Sequence, residues 1–321
     1  MFTVGLFTYQ RPLYLKRQLS FFKDLNYDFR LIILDGSEAE PFRSQNKTIA
    51  ESYHLEYYNI VDFRERHLKF FEKLDHEFAS WCSDDDLVMP TFFKDGEAFL
   101  RNNKQYAAMA GKVYTLQYRQ HSPKRGYYLR QHLENKYDIL YGDLVERVVR
   151  RDQSYGLGCP PTFYGVKTYE VMKMFNKHIS RISLFTSMER LDMFCTLMQG
   201  GIKVVDTLMG FRDYSSETTR QVYRDDPEYY ISKEDTQQIQ NVIREEMTDQ
   251  MPNKELLDYF AGYAWKLPLR PPQGEPMIVK YGWSELFESL RNLYFAHYFH
   301  EFDSSITKAL RKNIVKYSKI N

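Results

Sequence analysis

Over roughly its first two hundred residues the chain alternates short apolar runs with amphipathic segments, and this alternation restricts the possible folds more than any other feature. Apolar runs of about four to eight residues read as strands buried on both faces. They fall at Thr3–Thr8, Arg30–Leu34, Leu55–Ile60 and Phe78–Ser83. Between them, Leu13–Leu25 carries Leu15, Leu19 and Phe22 at helical spacing, and Arg64–His76 carries Leu68, Phe71 and Leu74. Both are predicted crossover helices. Further strands are expected at Tyr106–Leu116, Thr162–Val166 and Ile202–Val205, the last after a helix stop at Gly200-Gly201. The predicted fold is α/β with a mostly parallel sheet.

From about Asp225 the pattern becomes helical, punctuated by Pro252, Pro268 and the Pro271-Pro272 pair. Residues 1–225 are read as one catalytic-sized domain and 226–321 as a helical C-terminal appendage. The final stretch, Trp283–Asn321, sets Leu286, Leu290, Leu293 and Tyr294 on one helical face and ends on Lys308, Arg311, Lys312, Lys316 and Lys319. Such a helix packs or is solvated; the alternative is a peripheral contact with a membrane surface or partner. No stretch of about 18 apolar residues offers a spanning helix. The strand-like run at Phe2 to Phe7 leaves no room for a basic and apolar leader, so no signal peptide is expected. Cys82, Cys159 and Cys195 fit a reducing compartment better than a disulfide framework. The expected location is cytoplasmic, with the basic helix as the route to any contact at the inner membrane face. Lys+Arg 44 against Asp+Glu 43 leaves a formal charge of +1, so no global field draws a polyanion and nucleic acid is not an expected partner. The 26 Tyr and 23 Phe supply flat faces that suit sugar rings and bases as well as cores.

In open α/β sheets, ligands bind beyond the carboxyl ends of the strands. The first predicted strand ends at Thr8-Tyr9-Gln10-Arg11-Pro12, the second at Asp35-Gly36-Ser37 and the fourth at Ser83-Asp84-Asp85-Asp86. Three separate strands thus deliver polar and acidic residues to one edge. Three adjacent carboxylates after an apolar strand repel one another, and burying them costs several kcal/mol unless a cation offsets the charge. Oxygen-only ligands favour Mg²⁺ or Mn²⁺, whose shells are completed by water and substrate phosphates; a solvated acidic turn or helix cap is the plainer alternative. Asp35 either closes an Asx turn or accepts a hydrogen bond from a base ring N–H while Tyr9 covers the base.

The run Val4-Gly5-Leu6-Phe7-Thr8-Tyr9-Gln10-Arg11-Pro12, the ending Leu34-Asp35-Gly36-Ser37 and the stretch Ser83-Asp84-Asp85-Asp86-Leu87-Val88-Met89-Pro90 together resemble the family 2 glycosyltransferases of GT-A type. That resemblance covers roughly residues 2–215. It implies a Rossmann-like GT-A domain that uses a nucleotide-diphosphate sugar, UDP-linked before GDP-linked, with a divalent metal (Mn²⁺ or Mg²⁺), and a glycan or other hydroxyl acceptor. In the family the acidic cluster is a DxD-type motif holding metal and donor diphosphate. Asp84 then belongs to the donor site and Asp85 and Asp86 to the metal, while Thr8 and Asp35 match positions that contact the base. The family's general base lies on a later helix, about a dozen residues before a Gly and a short strand. Here that helix reads Ser187-Met188-Glu189-Arg190-Leu191-Asp192, which places Glu189 at the base position and Asp192 one turn further on, in support. A base there fits an inverting transfer. A surface ion pair among Glu189, Arg190 and Asp192 is the competing reading.

Other segments suit the same site. Tyr155 to Gly165 is a Gly/Pro-dense lead into a strand that suits a wall beside the donor sugar. Arg212, with Arg220 nearby, offers a cation to the leaving diphosphate, and Tyr9 and Arg11 complete the donor-side set. Arg64, Arg66 and His67 read better as a solvated face. The rival functions are a sugar-nucleotide nucleotidyltransferase, which needs a Gly-rich loop where Thr8–Pro12 has no Gly, an aspartyl phosphotransferase, which needs Asp where Thr8 stands, and a catalytically silent binding module.

Overall fold

A computed structural model describes residues 2–118, 127–131, 147, 161–213, 232–251, 253–265 and 304–317. In chain order the elements are β1 (Phe2–Thr8), α1 (Pro12–Asp24), β2 (Arg30–Asp35), α2 (Glu40–Ser52), β3 (Glu56–Asn59), α3 (Phe63–Glu72), β4 (Phe78–Ser83), β5 (Leu87–Val88), α4 (Pro90–Asn102), β6 (Tyr106–Tyr118) and β7 (Tyr127–Gln131). Then follow β8 (Val166–Thr168), α5 (Tyr169–His178), α6 (Phe185–Gln199), β9 (Gly201–Asp213), α7 (Lys233–Met247), α8 (Lys254–Trp265) and α9 (Ser304–Tyr317).

The strands form one sheet in the order β3-β2-β1-β4-β8-β6-β9-β5, with β7 added beside β6. Its first half is wholly parallel, because each of β1, β2 and β3 is followed by a helix that returns the chain to the same end. The second half is mixed: β8 runs antiparallel to both β4 and β6, β6 and β9 are parallel, and β5 is antiparallel to β9. Successive residues of β2 point to opposite faces, which divides the core in two. Ile32 and Leu34 join Trp81, Phe175, Leu191 and Val242 under α3, α5, α6, α7 and α8. Leu31 and Ile33 join Leu6, Leu15, Phe22, Phe93 and Leu310 under α1, α4 and α9. The result is an α/β/α arrangement of three layers.

Local signals set several ends. Pro12 and Pro90 begin α1 and α4, where a missing N–H costs nothing. Asp62 caps α3 by accepting from the backbone of Arg64 at 2.7 Å, and Ser232 caps α7 through Glu234 and Asp235. Gly200 terminates α6 where a side chain would crowd the Gln105 carbonyl and the Ala107 amide.

Three expectations need correction. Thr162–Val166 is not a strand: Pro161–Tyr164 winds into a 3-10 turn, since Pro161 fixes a turn-like φ, and the strand is Val166–Thr168. The helix expected to reach His76 ends at Glu72. The strand expected at Ile202–Val205 continues to Asp213, beyond the exposed Asp206 and Thr207 that interrupt its apolar run, through register shifts against β6. The C-terminal helices also join the two cores: α7 and α8 share one with α5 and α6, and α9 lies on α1, with Ala309 and Leu310 buried and Lys312 and Asn313 bound to Asp24.

Candidate active site

Parallel register alone builds the site's floor. Thr8 pairs with Asp35, Asp35 with Asn59, and Phe7 with Ser83, so the residue after Ser83 is delivered beside Thr8. The Thr8 hydroxyl donates to Asp84 Oδ2 at 2.6 Å, and the Asp84 amide donates to the Phe7 carbonyl at 3.0 Å. Gln10 turns the chain from β1 into α1 with φ 52°, a left-handed conformation unusual outside glycine, and its amide donates to Ser37 Oγ at 2.8 Å. This turn aims Arg11 inward. Its Nη1 donates to Asp85 Oδ2 at 2.6 Å, and its Nη2 stands 2.7 Å from Asp84 Oδ1 without hydrogen-bond alignment.

A second arginine, Arg17, is 2% exposed on α1. Its guanidinium donates to the Asp85 carbonyl at 2.7 Å and to Asp213 Oδ2 at 2.5 Å. Because β5 runs along the end of β9, the Asp213 amide reaches Asp86 Oδ1 at 3.1 Å and brings Arg212 against the cluster. Burial raises the Asp84 carboxyl, opposed by Arg11 and reinforced by Asp85. Burial and the charge of Asp85 raise Asp86, against Arg212. Burial likewise works on Asp85, but Arg11 and Ser83 outweigh it and hold that carboxyl low.

Asp86 is therefore a buried carboxyl beside a second carboxylate, with Arg212 as the cation that opposes its rise. Among the described residues no three His, Cys, Asp or Glu side chains converge as a protein-only metal centre. A divalent ion that shares its shell with a diphosphate needs only one or two carboxylates, and the oxygen donors of Asp85 and Asp86 fit that requirement.

On the β2 side, Asp35 is fully buried and accepts from Ser37 N at 2.8 Å, Asn46 Nδ2 at 3.1 Å and the Tyr57 hydroxyl at 2.6 Å. A carboxylate has about four acceptor positions, and three of these are filled. Tyr9 is 44% exposed at this edge.

The three residues read as a solvated face part company. Arg64 pairs with its own helix cap, Asp62. His67 is buried against Phe7, Trp81 and Phe175, and burial pushes its imidazole down to about 3. Arg66 turns toward the site: its Nη1 donates to the Thr8 carbonyl at 3.3 Å, its guanidinium fills the space where a side chain at Gly36 would stand, and burial lowers its pKa despite Asp35, Asp62 and Asp84 nearby. Among the described residues no carboxylate lies in ion-pair contact with it. The sequence held one hint, Gly36, the only residue that leaves Arg66 this passage.

The Glu189 side of the site is joined through Tyr164. This tyrosine hydrogen-bonds Asp86; burial and Asp86 raise its pKa, with Asp85 and Glu189 adding to the rise and Arg212 opposing it. Glu189 is half-buried on the first turns of α6. Asp192 lies inside the core instead. It and Lys167 are both 0% exposed and 3.2 Å apart, and Lys167 Nζ also stands 4.2 Å from the Trp81 ring centre and donates to the Phe163 carbonyl at 2.9 Å. Burial pushes the Asp192 carboxyl up to about 7, with Lys167 opposing. Thus Thr8, Arg11, Asp84, Asp85, Asp86 and Arg212 converge, Tyr9, Asp35 and Glu189 flank them, and Asp192 stands behind. Residues 155–160 and Arg220 lie outside the described residues. A cavity of about 640 Å³, lined by His76, Phe78, Lys104, Tyr106 and Tyr169 among others, opens at the opposite end of the strands, away from every one of these groups.

No family model matches the chain, and no curated protein sequence matches it. Among solved structures, S. aureus TarS 1-349 is similar with a TM-score of 0.47 at 15% identity, covering 78% of this chain and 73% of that one. A second S. aureus TarS structure gives 0.47 at 14% identity over 84% of this chain and 53% of that one, so the chain spans about half its length. A CMP:2-keto-3-deoxy-manno-octonic acid synthetase complexed with CTP gives 0.40 at 6% identity over 70% and 96%. These likenesses concern the α/β architecture alone.

Proposed function

We propose that the chain is a GT-A glycosyltransferase that moves a sugar from a nucleotide-diphosphate sugar, UDP-linked before GDP-linked, to an acceptor hydroxyl with inversion. The observation that supports this most is the convergence of Thr8, Arg11, Asp84, Asp85 and Asp86 at the carboxyl ends of β1 and β4, beside the Asp35 hub. Tyr9 and the remaining acceptor position of Asp35 take the base. Arg11, Arg66 and Arg212 meet the diphosphate. Asp85 and Asp86 would hold Mn²⁺ or Mg²⁺, which when bound neutralises charge on the leaving diphosphate. Glu189 takes the proton of the acceptor hydroxyl as its oxygen bonds to the anomeric carbon and the bond to the diphosphate oxygen breaks. Asp192 supports the helix that carries Glu189. The nucleotidyltransferase alternative loses ground because the Gly-free turn folds its arginine onto Asp84 and Asp85.

A thermal-shift panel tests the donor site. UDP with Mn²⁺ at about 100 times its Kd should add about 2.7 kcal/mol of stability. No response to any nucleoside diphosphate, with or without metal, would falsify the reading.

A further inference from the structure

Phe185 opens α6 and is 36% exposed, one turn before Glu189, so the two side chains share a helix face. Its ring lies 6.2 Å from that of Phe63 with planes at 73°, and 6.2 Å from that of Phe163 at 74°. Phe63 begins α3, while Phe163 sits in the 3-10 turn beside Tyr164 and leans on Trp81 at 5.7 Å. Two of these rings are packed on the core, and the third faces outward. Exposure of this kind is concentrated at one end of the molecule. Of the six exposed large hydrophobics among the described residues, Tyr9, Leu13, Val61 and Phe185 stand at the edge where the site lies.

We propose that Phe185, braced by Phe63 and Phe163, is the platform on which a pyranose ring of an oligosaccharide acceptor stacks. The inference rests on the glycosyltransferase reading and names the class of its acceptor. One face of a pyranose is a patch of C–H groups that matches an aromatic ring, while its hydroxyls project around the rim. A helix places residues four apart about 6 Å from one another, close to the width of such a ring, so a rim hydroxyl of a sugar on Phe185 comes within reach of Glu189.

The test titrates three neutral trisaccharides, cellotriose, maltotriose and chitotriose, against the wild-type chain, Phe185→Ala and Phe185→Trp by saturation-transfer NMR, with UDP and Mn²⁺ present. At least one should receive saturation chiefly at its ring C–H protons. Its Kd should rise about tenfold in Phe185→Ala, which corresponds to 1.4 kcal/mol, and stay near the wild-type value in Phe185→Trp. The UDP-dependent thermal shift should be the same in all three proteins, which also shows that the variants fold. The platform is overturned if none of the sugars binds the wild type while UDP does, or if Phe185→Ala binds them as tightly. Sugar binding that depends on Phe185 in a chain that ignores UDP would uphold the platform and remove the donor-site reading instead.

Discussion

Asp84 and Asp192 are both fully buried, yet their negative charges are met in opposite ways. Asp84 belongs to a cluster at an open sheet edge, faced by arginines from a loop, a helix and a strand end, of which Arg11 keeps 20% of its side chain in contact with solvent. Asp192 has one lysine, as buried as itself, roofed by Trp81. A partner held on a loop at an edge can be traded for a ligand, whereas a partner enclosed by a core cannot leave. Burial of a carboxylate is therefore a poor sign of function by itself, and the mobility of what compensates it is a better one.

The sharpest way to break this contrast is at the edge. Asp85→Ala should reduce metal-dependent donor hydrolysis to background while the denaturation midpoint stays close to wild type. Hydrolysis that persists and still requires metal would move the metal site away from Asp85. Next in size, Glu189→Gln should lower kcat by about 10²–10⁴-fold with UDP affinity unchanged, as expected for loss of a general base. Should Asp192→Asn, shown to be folded, be the inactive variant while Glu189→Gln works, the core and edge roles must be exchanged.

Inside the core the effect should appear in stability. Lys167→Met leaves Asp192 buried without a counter-ion and should cost about 3–5 kcal/mol in urea denaturation, whereas adding Asp192→Leu should restore most of it. A double variant as unstable as the single would show that the pair is held by its packing and not by its charge.

The smallest effect is in the pH profile. The folded Asp192 carboxyl lies near 7, above its ordinary 3.8, so folding takes up a proton between these values and this group's contribution to stability falls as pH rises from about 4 to 7. His67 acts in the other direction: held down to about 3 from 6.5, it costs stability as pH falls through that range. The two slopes oppose each other between about 4 and 6.5. In the Lys167→Met, Asp192→Leu variant the rise of stability with pH over this window should be steeper, and an unchanged slope would mean that Asp192 is not protonated in the native protein.

The same contrast explains what could be read in the sequence. β1, β2 and β4 were legible to within a residue because their apolar runs stop abruptly at polar groups, and the acidic triplet with Thr8 and Arg11 was legible because those stops coincide at one edge. α2 buries only Asn46 and Ala50, so it has almost no apolar stripe to find. Arg17 and Lys167 look like solvent-facing cations in any local window. Their burial depends on Asp213 and Asp192, which lie 196 and 25 positions away, and no short-range pattern encodes such pairings. Among the basic C-terminal residues, Lys312 is an exposed charge that also ties α9 to α1 through Asp24, and no described helix is long and apolar enough to cross a membrane.

That tie bears on how the molecule is made. Lys312 reaches Asp24 across 288 positions, which joins the first helix to the last described one. At about 5–20 residues per second a ribosome needs roughly 15 to 60 s to synthesise the intervening chain. Throughout that interval the face of α1 that α9 will cover stays open, although the strands beside it have long since emerged. The nascent protein can therefore assemble the parallel half of its sheet early, while the cover over its first described helix waits for residues 304–317.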